Sequence, residues 1–294
     1  MRKLPLNGQK FIYLSEGDIK YDSRILRSIE VASKNGAEVL GFGIIDKIAP
    51  SSTSIIGKNS KILSINLFSR NIPFKIIKYF FSIIEYNIKG LLFALNNNPT
   101  QIHCNDYVPL PLAISIKIFC RAKLIYDAHE LESRKHGQSK FTSILVYTLE
   151  FISWPFIDSF ITVSPSIKRW YSKSFPKKIN SVVLNTPYIK KNLLPKNDYL
   201  RKKYLIPKKL KIFIYIGVLT KGRCLPEIIK CFKQKEIREK ASLIFLGSGP
   251  LKKKLISMTA SDDQIFFHEP VASEEVINIS SSADYGIRID RNQS

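Results

Sequence analysis

Lys123-Leu-Ile-Tyr-Asp-Ala-His-Glu130 is the stretch on which the reading of this chain turns. An apolar run with the look of a buried strand passes directly into Asp127, His129 and Glu130, where no turn chemistry requires three ionisable groups. In parallel α/β sheets, ligands collect beyond the carboxyl ends of the strands. His129 in that place can donate a hydrogen bond to a ligand hydroxyl or carbonyl. The bland alternative, a solvated loop with a capping Asp, stays open at this point.

Outward from this segment the same pattern repeats. Towards the N-terminus, the spacing predicts a strand at Lys10-Phe-Ile-Tyr-Leu-Ser, a helix from Ser23 to Asn35 ending at Gly36, and a strand at Glu38-Val-Leu-Gly-Phe-Gly-Ile-Ile. Strand, helix and strand in that order make a βαβ unit. Pro73 to Leu95 reads as a long amphipathic helix, with Lys75, Lys78, Ser82, Glu85 and Lys89 on one stripe and Phe74, Ile77, Phe80, Phe81, Ile84, Ile88, Leu91 and Leu95 opposite. Gln101-Ile-His-Cys-Asn-Asp is a further strand with a polar end, followed by an apolar helix over Pro109–Phe119. Towards the C-terminus come a helix over Thr142–Phe156 and strands at Ser159-Phe-Ile-Thr-Val-Ser and Ser181-Val-Val-Leu-Asn.

From Tyr188 to Lys211 the composition shifts to Lys, Asn, Pro and Leu and periodicity fades, as in an interdomain connection. A second βα series follows. Its strands are Ile212-Phe-Ile-Tyr-Ile-Gly, Ala241-Ser-Leu-Ile-Phe-Leu-Gly, Gln264-Ile-Phe-Phe and Ala283-Asp-Tyr-Gly-Ile-Arg-Ile, with helices over Pro226–Lys233, Pro250–Met258 and Ser273–Ser281 between them. Strands alternating with helices in both halves predict two doubly wound parallel sheets. The expected division is a first domain over 1–190, a basic connection over 191–211 and a second domain over 212–294.

The chain has 294 residues, 45% of them hydrophobic and 11% aromatic, enough to bury real cores and to exclude a disordered chain. Its 46 Lys+Arg against 24 Asp+Glu give a formal charge of +22, which favours anionic partners: nucleic acid, acidic lipid headgroups or phosphorylated ligands. A composition rich in Ile, Lys, Asn and Ser accounts for part of that excess. Nucleic acid is disfavoured, because the cations are scattered and no helix-turn-helix, zinc-finger or RNA-recognition signature is present. Cys104, Cys120, Cys224 and Cys231 have no metal-ligand spacing and read as free thiols in a reducing compartment. The N-terminus has no apolar signal core, and no stretch reaches the roughly 20 apolar residues of a spanning helix. A cytoplasmic protein is expected; the Pro73–Leu95 helix either packs its apolar stripe on the sheet as a core helix or meets anionic lipid, which would make the protein peripheral at the inner face of the plasma membrane.

Tyr126-Asp-Ala-His-Glu-Leu131, together with Ile161-Thr-Val-Ser-Pro-Ser166, resembles the family-4 retaining glycosyltransferases, above all those of bacterial surface polysaccharide (capsule or O-antigen) synthesis. The likeness extends to Tyr21-Asp-Ser-Arg-Ile, Gln101-Ile-His-Cys-Asn-Asp and Val182-Val-Leu-Asn-Thr-Pro. It implies a GT-B fold of two Rossmann-like domains, the first on the acceptor side and the second binding a nucleotide-sugar. By that resemblance Asp22, Arg24, Asn105 and Asp106 face the acceptor, and His129, Asp127 and Glu130 form the catalytic edge.

In the second half, Tyr215-Ile-Gly-Val-Leu-Thr-Lys-Gly-Arg223 sits between a strand and a helix, where glycine lets the backbone approach a phosphate and a helix N-terminus favours an anion. The resemblance makes this loop the donor diphosphate site, with Gly217, Lys221 and Arg223. Val218 stands where the family has an Arg. Leu246-Gly-Ser-Gly-Pro-Leu adds Gly247 and Gly249 near the nucleotide. His268 and Glu269 fall in a turn where the family has Gly and read as a loop adjustment, and Asp284 as a helix-to-strand boundary residue.

The resemblance implies sugar transfer from a nucleotide-sugar to a glycan or polyprenyl-linked acceptor, with no cofactor and no metal. It also leads one to expect a Pro-Asn-Lys-like turn and a Glu-bearing donor helix after Ile289. The sequence ends at Ser294 without them, so the expectation is a C-terminally incomplete second domain: a fragment, a binding subunit, or an enzyme completed by a second chain.

Overall fold

The computed structural model describes residues 4–45, 50–55, 59–135, 138–186, 197–260, 262–271 and 273–289, with only the backbone at 273 and 274. The chain divides into two compact units, residues 1–186 and 187–294.

The first unit runs β1 (Lys10–Leu14), α1 (Ser23–Lys34), β2 (Glu38–Ile44), β3 (Ser52–Ile55), β4 (Ser60–Ile65), α2 (Lys75–Asn97), β5 (Gln101–Asn105), α3 (Leu110–Cys120), β6 (Lys123–Ala128), α4 (Lys140–Ser153), β7 (Ser159–Thr162), α5 (Pro165–Ser174) and β8 (Ile179–Val182). Among the described residues its sheet has the order β3-β4-β2-β1-β5-β6-β7-β8. Every pairing is parallel except that of β3 with β4, an antiparallel edge. The order reverses between β1 and β5, which is the topological switch of a doubly wound sheet.

Strand alternation sorts the core into two layers. Ile12 and Leu14 of β1, Ile102 and Cys104 of β5, and Leu124 and Tyr126 of β6 join the layer under α2, α3 and α5. Phe11 and Tyr13 face the other way, against Ile25, Ile29 and Ala32 of α1.

The long amphipathic helix is present as α2, but its apolar stripe does not face the sheet. The buried side of α2 is Tyr86, Gly90 and Ala94. A Cβ at Gly90 would stand 2.4 Å from Leu112 Cδ2 and 2.8 Å from Phe42 Cε1, so a small residue sets how closely α2 approaches α3 and β2. Phe74, Ile77, Phe80, Phe81, Ile84, Ile88 and Leu95 are exposed instead. Phe141, Ile144, Leu145, Phe151 and Ile152 of α4 are exposed as well.

The second unit runs α6 (Tyr199–Lys203), β9 (Lys211–Ile216), α7 (Leu225–Phe232), α8 (Lys235–Arg238), β10 (Ala241–Leu246), α9 (Lys252–Met258), β11 (Ile265–His268), α10 (Ser273–Ser280) and β12 (Tyr285–Gly286). Its described strands form an all-parallel sheet in the order β11-β10-β9-β12. Residues 191–196 of the expected connection lie outside the described residues. Its later part packs into this unit, with Leu200, Ile206 and Leu210 buried beside Ile212, Ile214 and Leu246.

Candidate active site

At the switch point, polar side chains occupy strand positions that elsewhere carry apolar ones. Tyr13 and His103 are cross-strand partners on β1 and β5, and their rings stack at 4.7 Å with 19° between planes. Tyr13 Oη lies 3.0 Å from Ser28 Oγ of α1 in a hydroxyl–hydroxyl hydrogen bond, and burial pushes its pKa up to about 12. His103 Nε2 lies 3.1 Å from Asp127 Oδ2 on the neighbouring strand β6. Asn105 at the end of β5 is buried and donates Nδ2 to the Leu14 carbonyl at 3.0 Å, closing the crevice floor between β1 and β5.

The other oxygen of Asp127 pairs with Nη2 of Arg24 from α1, both side chains being almost fully buried. Arg24 also donates Nη1 to the Val183 carbonyl just after β8, at 3.3 Å. Its position on α1 is fixed by Asp22, whose Oδ1 caps the helix by accepting the backbone N–H of Arg24 at 2.9 Å and of Ile25 at 3.0 Å. Burial opposes ionisation of Asp127, but the hydrogen bond and charge of His103, with Arg24 and His129, outweigh it and hold the carboxyl below its ordinary range. Asp127 is therefore a buried anion with both oxygens engaged.

His129 follows, at the mouth. Its backbone N–H reaches Asp106 Oδ1 at 3.3 Å. Its ring stands between two carboxylates, Nδ1 3.7 Å from Asp106 Oδ2 and Nε2 3.9 Å from Asp127 Oδ2, both beyond hydrogen-bond length. Among the described residues Nε2 has no hydrogen-bond partner although the atom is shielded. Asp106 holds this turn with a left-handed φ of 65°. Glu130 is exposed at the rim. Glu132 is fully buried behind it; burial and the Asp106 carboxylate push its carboxyl well above the ordinary range, opposed by Lys135 Nζ at 2.7 Å. The cluster can hold a neutral polar ligand at His129, with fixed charge behind the imidazole and acidic groups beside it.

Sequence reasoning singled out Asp127, His129, Asp106, Asn105 and Arg24, and the fold brings all five to one strand-end cluster. The structure adds His103 and Glu132 to them. An ionisable residue in the middle of an apolar strand was the available signal for His103.

In the second unit the glycines lock two strand ends together. Gly247 has a φ of 145°, and a Cβ there would meet the Gly217 carbonyl oxygen at 2.1 Å; at Gly249 it would meet the Leu219 carbonyl oxygen at 2.5 Å. The loops zip by Gly217 N–H to the Leu246 carbonyl at 3.1 Å and Leu219 N–H to the Ser248 carbonyl at 2.9 Å. The loop after β9 then carries exposed Lys221 and half-buried Arg223 into the start of α7, where no side chain caps the helix. Its first-turn N–H groups and the two cations make a place suited to an anion. Val218 is exposed, 62% of its surface being accessible.

His268 is more than a loop adjustment. It is buried at the end of β11, its Nδ1 2.8 Å from the Glu269 carbonyl and its Nε2 3.1 Å from Tyr199 Oη and 3.2 Å from Lys203 Nζ. It thereby fastens α6 to the sheet. Asp284 accepts the Ile212 backbone N–H at 2.8 Å, at the boundary expected of it.

No protein-family model matches the chain. A chitobiosyldiphosphodolichol beta-mannosyltransferase of Kluyveromyces lactis is 25% identical over 319 aligned residues, which cover 95% of this chain and 69% of that protein. Among solved structures, the sucrose-phosphate synthase of Thermosynechococcus elongatus superposes with a TM-score of 0.76 at 14% identity, over 95% of this chain and 74% of that one. Anabaena Alr3699/HepE, solved in complex with UDP and glucose, gives 0.66 at 12%, over 96% and 74%. The apo lipopolysaccharide outer core galactosyltransferase WaaB gives 0.61 at 14%, over 96% and 74%. The fold is that of the GT-B glycosyltransferases.

Proposed function

We propose that this chain is a glycosyltransferase that moves a sugar from a nucleotide-sugar to a lipid-diphosphate-linked or polysaccharide acceptor. The observation that carries this is the glycine-locked pair of strand ends beside the uncapped start of α7, with Lys221 and Arg223, in a chain similar along 95% of its length to a sugar transferase. The relative's name places its acceptor on a diphosphodolichol, which favours the lipid-linked class. UDP and glucose in the Anabaena neighbour favour a nucleotide-sugar donor.

In this reading the donor diphosphate lies over the Gly217 loop, its charge offset by the α7 N-terminus, Lys221 and Arg223 rather than by a metal. His129 contacts the attacking hydroxyl, while Asp127, Arg24 and His103 position it and Glu130 meets the acceptor at the rim. Retention at the anomeric carbon, and a place in bacterial surface polysaccharide synthesis, follow the family resemblance. The exposed apolar residues of α2 and α4, together with the basic excess of the chain, favour peripheral attachment to the anionic inner face of the plasma membrane.

The test is calorimetric titration of the chain with UDP-, GDP- and ADP-sugars. One of them should bind, and Arg223→Ala should weaken it about tenfold. Absence of binding by all three would sink the donor assignment. Anomeric NMR of the product reads retention, and co-sedimentation that ignores anionic lipid removes the membrane placement.

A further inference from the structure

The first unit also holds a cavity of about 490 Å³. Its boundaries are the loop after β1, the end of β2, the turn after β5 and the N-terminal half of α2. Ile44, Leu67, Tyr79 and Ile83 supply apolar walls, and Arg70 and Lys78 supply two cations. One carboxylate, Glu16, lines the β1 side.

The cations differ in how they are held. Arg70 donates Nη1 to the Ile45 carbonyl, which fixes the guanidinium. The Lys78 ammonium has no hydrogen-bond or ion-pair partner among the described residues. Glu85, the acid of α2, cannot neutralise it. That carboxylate accepts the Phe68 and Ser69 backbone N–H groups, each at 2.9 Å, and pairs with Lys89 at 2.6 Å. A second groove on the other flank of α2 is lined by Phe68, Ile72, Phe81, Ile84 and Ile88. Phosphate-seeking charge thus sits beside apolar side chains of α2.

We infer that this cavity holds the diphosphate of a prenyl-linked acceptor. Arg70 and Lys78 contact the phosphate oxygens, the first isoprene units lie against Tyr79 and Ile83, and the rest of the chain crosses the exposed apolar side of α2. A cavity of this size takes a headgroup and its first hydrocarbon units. This deepens the transferase reading and rests on its lipid-linked acceptor.

Lys75 and Lys78 allow a clean test, since each carries one positive charge on the same helix and only Lys78 lines the cavity. The full chain is titrated with geranylgeranyl diphosphate, geranylgeraniol and inorganic pyrophosphate, alongside Lys75→Gln and Lys78→Gln. The expected result is binding of the prenyl diphosphate, at least tenfold weaker binding of the alcohol and of pyrophosphate, a roughly tenfold loss in Lys78→Gln and no change in Lys75→Gln. Equal losses in the two variants would mean general attraction to an anionic surface and would overturn the site. So would a silent Lys78→Gln, or failure of the wild-type chain to bind the prenyl diphosphate. Nucleotide-sugar binding measured on the same samples separates the two readings: if it persists while the prenyl diphosphate fails, only this inference falls.

Discussion

Arg24 and Asp127, 103 residues apart in sequence, form a buried ion pair that joins the first turn of α1 to the end of β6. His103 takes the second carboxylate oxygen, so the charge behind His129 is fixed from two sides. Removing one partner of such a pair leaves the other buried and uncompensated. Asp127→Asn is expected to cost about 3 kcal/mol at pH 7, measured by urea unfolding. Because the folded pKa of Asp127 is depressed, its stabilisation is present above the unfolded value of about 3.9 and is lost as pH falls through the folded value. The acid limb of the stability curve should therefore flatten in Asp127→Asn. An unaltered acid limb contradicts the pairing.

Glu150 supplies a pH dependence of opposite sign. It is fully buried on α4 and accepts hydrogen bonds from Tyr126 Oη at 2.8 Å and from Tyr171 Oη. Burial pushes its carboxyl up to about 7, against the two hydroxyls. A raised acid contributes stability that is complete below its unfolded pKa of about 4.3 and lost as pH rises through the folded value. Stability of the first unit should thus decline between about pH 4.3 and 7 on this account, and Glu150→Gln should remove most of that decline. Parallel curves for the two proteins would count against it.

Gly247→Ala tests the donor loops. With a φ of 145° and the Gly217 carbonyl oxygen 2.1 Å from the new methyl, the strand ends must separate. Nucleotide-sugar affinity should fall at least tenfold, and thermal unfolding should come earlier by several degrees, as expected for a loss of about 2 kcal/mol. A variant that binds as tightly as the parent would show that the Gly217 loop is not the anion site.

His129→Ala separates chemistry from structure. Its side chain makes no hydrogen bond shorter than 3.5 Å to a described residue, so stability should change by less than about 1 kcal/mol. Turnover should fall about 10²-fold or more with donor affinity nearly unchanged. Loss of folding instead of turnover would make His129 a structural residue.

Much of this was legible in the sequence, and the gaps have physical causes. The parallel strands are near-continuous apolar runs with polar ends, so β1, β2, β5, β6, β9 and β10 could be read directly. β3 and β4 carry no such signal. Ser52-Thr-Ser-Ile and Ser60-Lys-Ile-Leu-Ser-Ile are short and serine-rich, and β3 lies at the sheet edge, where no apolar face is needed. α5 shows itself in the sequence only by its start, where Ser164 caps it and Pro165 opens it.

The α2 sequence is amphipathic, but periodicity does not say which side meets the protein. Gly90 and Ala94 do, because backbone approach favours small residues over large ones. In the site, Asp127 and His129 announced themselves at a strand end. His103 and Arg24 acquire their roles only when β5 and α1 are brought to β6. His268 likewise looks like a loop residue until α6 packs over it.

The most direct measurement is transfer itself. The full chain is incubated with each nucleotide-sugar and a prenyl-diphosphate-linked acceptor sugar, and the lipid fraction is weighed by mass spectrometry. The account predicts growth of the acceptor by one sugar with one donor, at a rate reduced about 10²-fold or more in His129→Ala. A folded chain that binds nucleotide-sugar and extends no acceptor with any donor would contradict it.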